Sequence, residues 1–239
     1  MKFYVLIHGA WHGAWCWDKI IPRLQEAGHQ AIAVDLPGHG CDKTPTSEIT
    51  LQSYTDRICQ VLDYLPEPVI LVGHSLGGVS ITQSAEYRPD KIKKLVYLCA
   101  FVPQNGQSLQ SLNRLDSHRS SLLMQNRFAA KDGSWYAIKT EAVKEIFYHD
   151  CSVEDISRAQ SLLCPEPSAP TMTSVRTTIE NYGRIPKIYI QTLEDRTLSP
   201  VFQEKMYQAI PFQKIIQMKT SHSPFFSAPG ELAAYLLSL

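Results

Sequence analysis

Leu71-Val72-Gly73-His74-Ser75-Leu76-Gly77-Gly78-Val79-Ser80 is the stretch whose reading decides the fold. An apolar run, Pro68-Val69-Ile70-Leu71-Val72, leads into it, and a helix-compatible run follows. The pattern predicts a strand, a very tight turn and a helix, with Ser75 at the tip. Gly73 and Gly77 stand two positions to either side, where a side chain is expected to collide with the opposite limb of the turn. Such a turn exposes the serine oxygen at the carboxyl end of a parallel strand and sets free helix N–H groups beside it. Gly-x-Ser-x-Gly alone also describes a plain flexible loop, so the reading depends on the rest of the chain.

Working outward, residues 3–7 (Phe3-Tyr4-Val5-Leu6-Ile7) form a continuous apolar run, as expected of a strand buried on both faces. The loop after it, His8-Gly9-Ala10-Trp11-His12-Gly13-Ala14-Trp15, opens a helix carrying Trp17, Ile20, Ile21 and Leu24 at helical spacing, which Gly28 ends. Ala31-Ile32-Ala33-Val34 is a second strand, closed by Asp35-Leu36-Pro37-Gly38-His39-Gly40. Thr50 is placed to cap a helix over 51–65. The helix after Ser75 is expected to run to about Tyr87, before Pro89, and 94–100 is another strand.

From 104 to 184 the short apolar strands vanish. Helical patches at 109–125, 140–148 and 153–163 and a Pro-rich stretch at 164–170 predict an inserted, mostly helical cap. Alternation then resumes, with strands at 186–192 and 212–218 and helices at 200–209 and 229–238. The chain is therefore read as α/β, a doubly wound, mostly parallel sheet whose core (1–103 and 185–239) carries the cap as an insertion.

Bulk properties fit one domain of this kind. The chain has 239 residues, and Lys+Arg and Asp+Glu both number 23, so no basic surplus points to nucleic acid or an anionic membrane. The N-terminal apolar run is too short for a signal-peptide core. The six cysteines are scattered without a C-x-x-C pair and read as reduced thiols of a cytoplasmic protein, with no zinc site. The histidines lack metal-ligand spacing, Asp35 lacks the G-x-G-x-x-G of a nucleotide site, and no cofactor is expected.

A serine nucleophile needs a base, and the base an orienting acid. Two loops late in the chain, each directly after a strand, supply them: Leu193-Glu194-Asp195-Arg196 and Thr220-Ser221-His222-Ser223. His222 is the expected base, since His8, His12, His29, His39, His74, His118 and His149 lack that position. Asp195 is the expected acid, with Glu194 its neighbouring rival. Backbone N–H groups should hold the developing oxyanion: Leu76, directly after the serine, and Ala10 in the first glycine loop, with Trp11 the alternative. Losing one such donor typically costs about 3 kcal/mol of transition-state stabilisation.

With those residues in place the chain resembles the α/β-hydrolase superfamily. The first glycine loop, Asp35 to Gly40, Gly73 to Gly78, Glu194-Asp195 and Ser221-His222 are similar to the branch that holds plant methylesterases, hydroxynitrile lyases and bacterial esterase relatives. The resemblance implies a serine carboxylesterase acting on a small, largely hydrophobic or aromatic ester. Lyases of this branch are marked by a threonine where this chain has Gly9 and a lysine where it has Ser223, so esterase is preferred to lyase. The resemblance also implies an acyl pocket lined by Ala10, Leu76 and a cap tryptophan, for which Trp135 is the candidate, and Gly9, Trp11 and Ser223 are expected at the substrate pocket as well. A hydrolase fold kept only as a small-molecule binding protein is a third reading. The expected partner is a small-molecule ester, with no nucleic acid and no membrane, and a homodimer is the one assembly left open.

Overall fold

In the computed structural model, which describes residues 1–116 and 121–239, nine strands follow in chain order. They are β1 (Phe3–Ile7), β2 (Gln30–Val34), β3 (Val69–His74), β4 (Ile92–Leu98), β5 (Arg127–Ala129), β6 (Trp135–Ile138), β7 (Glu166–Pro167), β8 (Lys187–Thr192) and β9 (Lys214–Met218). Six form the main sheet in the order β2-β1-β3-β4-β8-β9, and every pairing in it is parallel. The chain leaves β1 for β2 on one side and returns to β3 on the other. Beyond the carboxyl ends of β1 and β3, where that order reverses, the loops diverge and leave the crevice in which open α/β sheets place their sites.

The apolar runs form central strands because both faces of the sheet are covered. Phe3, Val5 and Ile7 enter one core cluster, while Tyr4 and Leu6 enter the other. In β3, Val69 and Leu71 face the first cluster and Ile70 and Val72 the second. Each such aliphatic side chain contributes about 1.5–3 kcal/mol by leaving water. The helix Leu51–Tyr64 begins as its sequence directs: Thr50 accepts from the Ser53 backbone N–H at 3.1 Å, and Ser53 Oγ accepts from Thr50 N–H at 2.9 Å. The helix behind the nucleophile turn, Gly77–Tyr87, is buried from Gly77 through Ala85.

Between β4 and β8 the chain builds the cap. Helices span Leu109–Asn113, Ser121–Asn126, Val143–Phe147, Val153–Leu162 and Ser168–Met172. The predicted patch 109–125 is thus two helices, and residues 117–120 between them, His118 included, lie outside the described residues. The sequence reading held no cap strand, whereas β5, β6 and β7 form a small antiparallel sheet. Its hairpin turns at Gly133, whose φ of 72° is left-handed, with the Ser134 N–H on Asp132 Oδ1 at 3.0 Å. Strands of two to four residues are too short to display a period-two pattern. A short helix, Pro224–Ser227, also follows His222 unforeseen. Among the described residues no helix is long and apolar enough to cross a membrane, and all six cysteines are free.

Candidate active site

Ser75 sits between β3 and the helix Gly77–Tyr87 with φ of 52°, a left-handed conformation unfavourable for a non-glycine residue. Conformations of this kind cost on the order of 1–3 kcal/mol and persist only when their surroundings fix them. Here the Ser75 N–H donates to Leu98 O at 3.2 Å, and its carbonyl accepts from Gly78 N–H at 3.0 Å and Phe101 N–H at 3.1 Å. A Cβ on Gly73 would lie 2.7 Å from Gly77 O, the expected collision across the turn. A Cβ on Gly77 would meet not the opposite limb but the end of β1, 2.7 Å from His8 O. Gly77 therefore lets the elbow dock against the first glycine loop.

The two late loops meet. His222 Nδ1 is 2.7 Å from Asp195 Oδ2, and both side chains are buried. A carboxylate only accepts, so the Nδ1 proton points at Asp195 and the Nε2 lone pair is left to act as a base. Asp195 is heavily braced: Oδ1 accepts from Thr197 N–H (2.7 Å) and Leu198 N–H (2.8 Å), and Oδ2 from Thr192 Oγ1 (2.9 Å) and Gln203 Nε2 (3.2 Å). Its rival Glu194 is half exposed, with Lys219 Nζ 3.9 Å away. Gln203 and Thr192 were not anticipated; a buried glutamine on an ordinary helix carries no sequence signal.

The His222 backbone is fastened to the elbow. Its carbonyl accepts from His74 Nε2 at 2.9 Å and from Cys99 Sγ at 3.4 Å, and the His74 and His222 rings lie 4.6 Å apart. His74 thus serves as a strut beside the nucleophile. Burial, with His222 close by, pushes the His74 pKa well below its ordinary value, keeping the ring neutral. Among the described residues, His74, Cys99 and His222 are the one group close enough to share a metal ion. The donor set does not suit one: His222 Nδ1 is committed to Asp195, and burial holds Cys99 as a thiol.

The first glycine loop is set by buried side chains. Gly9 O lies 2.8 Å from His8 Nδ1 and accepts from His12 N–H at 3.3 Å; His8 Nε2 accepts from Leu36 N–H at 3.1 Å, so the proton lies on Nδ1. In a trans peptide the N–H points opposite to the C=O. Fixing Gly9 O therefore aims the Ala10 N–H the other way, and among the described residues that N–H has no acceptor in the chain. The same holds for Leu76 N–H. Trp11 N–H, the alternative donor, is already taken by Glu166 Oε2 at 3.1 Å.

A cleft opens over Ser75, lined by Ala10, Trp11, Leu76, Phe101, Leu109 and Leu123 on its apolar side. Tyr136, Arg127, Glu166 and Thr197 add polar atoms. Three residues expected in the pocket are elsewhere. Trp135 alternates with Tyr136 along β6, so Tyr136 faces the cleft while Trp135 packs on Phe128 outside it. Ser223 is fully buried behind His222, and Gly9 lies beneath Ser75, where a Cβ would be 2.8 Å from both Ser75 Cβ and His74 Nδ1. Asp35 is a loop anchor, accepting from Ala14 N–H at 2.7 Å and Cys41 N–H at 3.0 Å.

Comparison with known proteins matches residues 4–235 to the alpha/beta hydrolase family. A chloroplastic Arabidopsis thaliana protein assigned as methylesterase 14 is 36% identical over 251 residues, taking in 100% of this chain and 72% of its own length. Methylesterase 2 of Arabidopsis thaliana is 33% identical over 256 residues, covering 100% of this chain and 95% of that protein. The crystal structure of polyneuridine aldehyde esterase superposes with a TM-score of 0.91 at 28% identity, over 100% of this chain and 98% of that one. Among such relatives the chain spans from 56% to 98% of their length.

Proposed function

This chain belongs to the α/β-hydrolase family, within its methylesterase branch, and is an ester hydrolase; from that premise we propose that it is a serine carboxylesterase working through Ser75, His222 and Asp195. The observation that carries the reading is the 2.7 Å contact between His222 Nδ1 and the Asp195 carboxylate, itself held by four further hydrogen bonds, with His222 on a loop tied to the elbow that bears Ser75. Ser75 Oγ attacks the ester carbonyl carbon while His222 Nε2 takes its proton. Asp195 keeps the imidazole in its Nδ1–H form and stabilises the imidazolium. The carbonyl oxygen, now negative, accepts from Ala10 and Leu76 N–H. Collapse breaks the bond to the alcohol, which leaves with the proton from His222. Water then attacks the acyl-enzyme with His222 as base, releasing the acid and restoring Ser75.

The apolar lining of the cleft supports a small, hydrophobic or aromatic acyl group. The relatives' names favour methyl esters. The lyase reading is disfavoured by the packing at Gly9, where no threonine fits without moving His74 or Ser75. Turnover of a chromogenic short-chain ester tests the proposal. Ser75→Ala should abolish it, and full turnover by that variant would remove Ser75 from the reaction. A binding protein with a disarmed serine would fail to label with a fluorophosphonate, which the esterase should take up at Ser75.

A further inference from the structure

Trp11 is a second strained residue, with φ of 64°. A left-handed backbone is a genuine outlier for so bulky a side chain and needs external support. Its ring packs against both core clusters, but its hydrogen bonds all run to the cap. Trp11 N–H donates to Glu166 Oε2 at 3.1 Å, its carbonyl accepts from Cys164 N–H at 3.0 Å, and its indole Nε1 donates to Tyr136 O at 3.1 Å. Glu166 is itself held from the core. His39 Nε2 lies 2.9 Å from Oε2, and Tyr54 OH donates to Oε1 at 3.0 Å; all three side chains are buried. A carboxylate in so enclosed a place is costly unless each oxygen is satisfied, and here both are.

Trp11 N–H and Ala10 C=O belong to one peptide group. Its other end is held too, by His12 Nδ1 at 2.7 Å from Ala10 O. Rotation of Trp11 towards an ordinary negative φ would swing that peptide, and with it the residue whose own N–H faces the oxyanion. We propose that Glu166 is a positioning residue of the oxyanion site: from the cap, it holds the Trp11 peptide so that the Ala10 N–H stays aimed at the developing charge. This rests on the serine-esterase reading above. Its consequence is that the cap completes the catalytic apparatus as well as roofing the pocket. Among the contacts that join cap and core, this carboxylate lies at the wall of the cleft.

Three substitutions test the role, assayed on the full chain with a chromogenic short-chain ester. Glu166→Ala removes the acceptor, and Glu166→Leu fills the same volume without one, replacing the alanine protein should that not fold. Glu166→Gln keeps an oxygen in reach of Trp11 N–H. The first two should lower kcat by about tenfold or more, a part of what losing an oxyanion donor costs, while KM stays within about twofold, the pattern of an interaction made only in the transition state. Affinity for an aryl trifluoromethyl ketone, whose adduct with Ser75 carries an oxyanion, should fall by the same factor. Glu166→Gln should recover most of both. A folded alanine or leucine variant with parental kcat, a loss carried by KM alone, or unchanged ketone affinity overturns the proposal. Ser75→Ala, run alongside, separates the cases: if it is inactive while Glu166→Leu keeps its kcat, only the Glu166 role fails, and if it still turns over the ester, the esterase reading fails and takes the Glu166 role with it.

Discussion

Replacing Gly9 by alanine perturbs the nucleophile from behind with a single methyl group. Gly9 is not among the residues with left-handed φ, so alanine can adopt its backbone and the cost comes from contact alone. The new Cβ would stand 2.8 Å from Ser75 Cβ and from His74 Nδ1, about 0.6 Å inside the 3.4 Å at which ordinary contact begins. Neither neighbour yields freely. His74 is held by the His222 carbonyl at 2.9 Å, and the Ser75 backbone by three hydrogen bonds of 3.0 to 3.2 Å. Relief by moving the serine displaces Oγ by several tenths of an ångström. A misplacement of 1 Å costs about 100-fold in rate, so kcat should fall roughly ten- to a hundredfold. Forcing a methyl into a packed site should also cost about 1–3 kcal/mol of stability, a few degrees of Tm in a domain of this size. Steady-state kinetics on the chromogenic ester and a thermal melt measure both. A Gly9→Ala protein with kcat within twofold of the parent and an unmoved Tm would show that the packing beneath Ser75 does not restrain the nucleophile.

Asp195→Asn should lower kcat by about 10⁴-fold with little change in KM, because an amide N–H facing His222 Nδ1 favours the wrong tautomer; retention of a tenth of the activity would point to another acid, Glu194 first. Stability should fall in mild acid. Burial lowers the pKa of His8 and His74 well below the ordinary 6.5 and that of His12 to about 3, so below about pH 6.5 the unfolded chain binds protons that the fold refuses. Each of the three then withdraws about 1.4 kcal/mol by about pH 5.5. For His39 burial opposes protonation, but the Glu166 carboxylate outweighs it and the pKa is raised. Its contribution is therefore complete below about pH 6.5 and is lost as pH rises through its raised value, so on going from pH 7.5 to 5.5 this one residue offsets part of the loss from the other three without cancelling it. Urea melts at pH 7.5 and 5.5 measure the difference, and equal stability at the two would contradict buried neutral histidines.

What the sequence made legible follows from range. The apolar runs at 3–7 and 69–72, the elbow glycines and the Thr50 cap are local signals, settled within a few residues by sterics and hydrogen bonding. Asp195 was favoured over Glu194 only by its spacing to Pro200, which opens the next helix; what holds its carboxylate is Thr192, Gln203 and two backbone N–H groups that only the folded loop brings together. Trp11 likewise stood as the alternative to Ala10 in the sequence, and it is Glu166, 155 residues from Trp11, that claims the Trp11 amide. The cap was least legible. Its strands of two to four residues are shorter than a readable period, and their register decides that Tyr136 and not Trp135 meets the cleft. Glu166 itself lies in Cys164-Pro165-Glu166-Pro167, where flanking prolines predict an extended backbone but say nothing of burial.

The central claim is that Ser75 carries the acyl group. Rapid acid quench of the enzyme turning over a slowly deacylating aryl ester, followed by peptide mapping by mass spectrometry, tests it most directly. The acyl mass should appear on the peptide containing Ser75, at that residue, and be absent from Ser75→Ala. An adduct on a different residue, or undiminished turnover by Ser75→Ala with no adduct at all, would contradict the account.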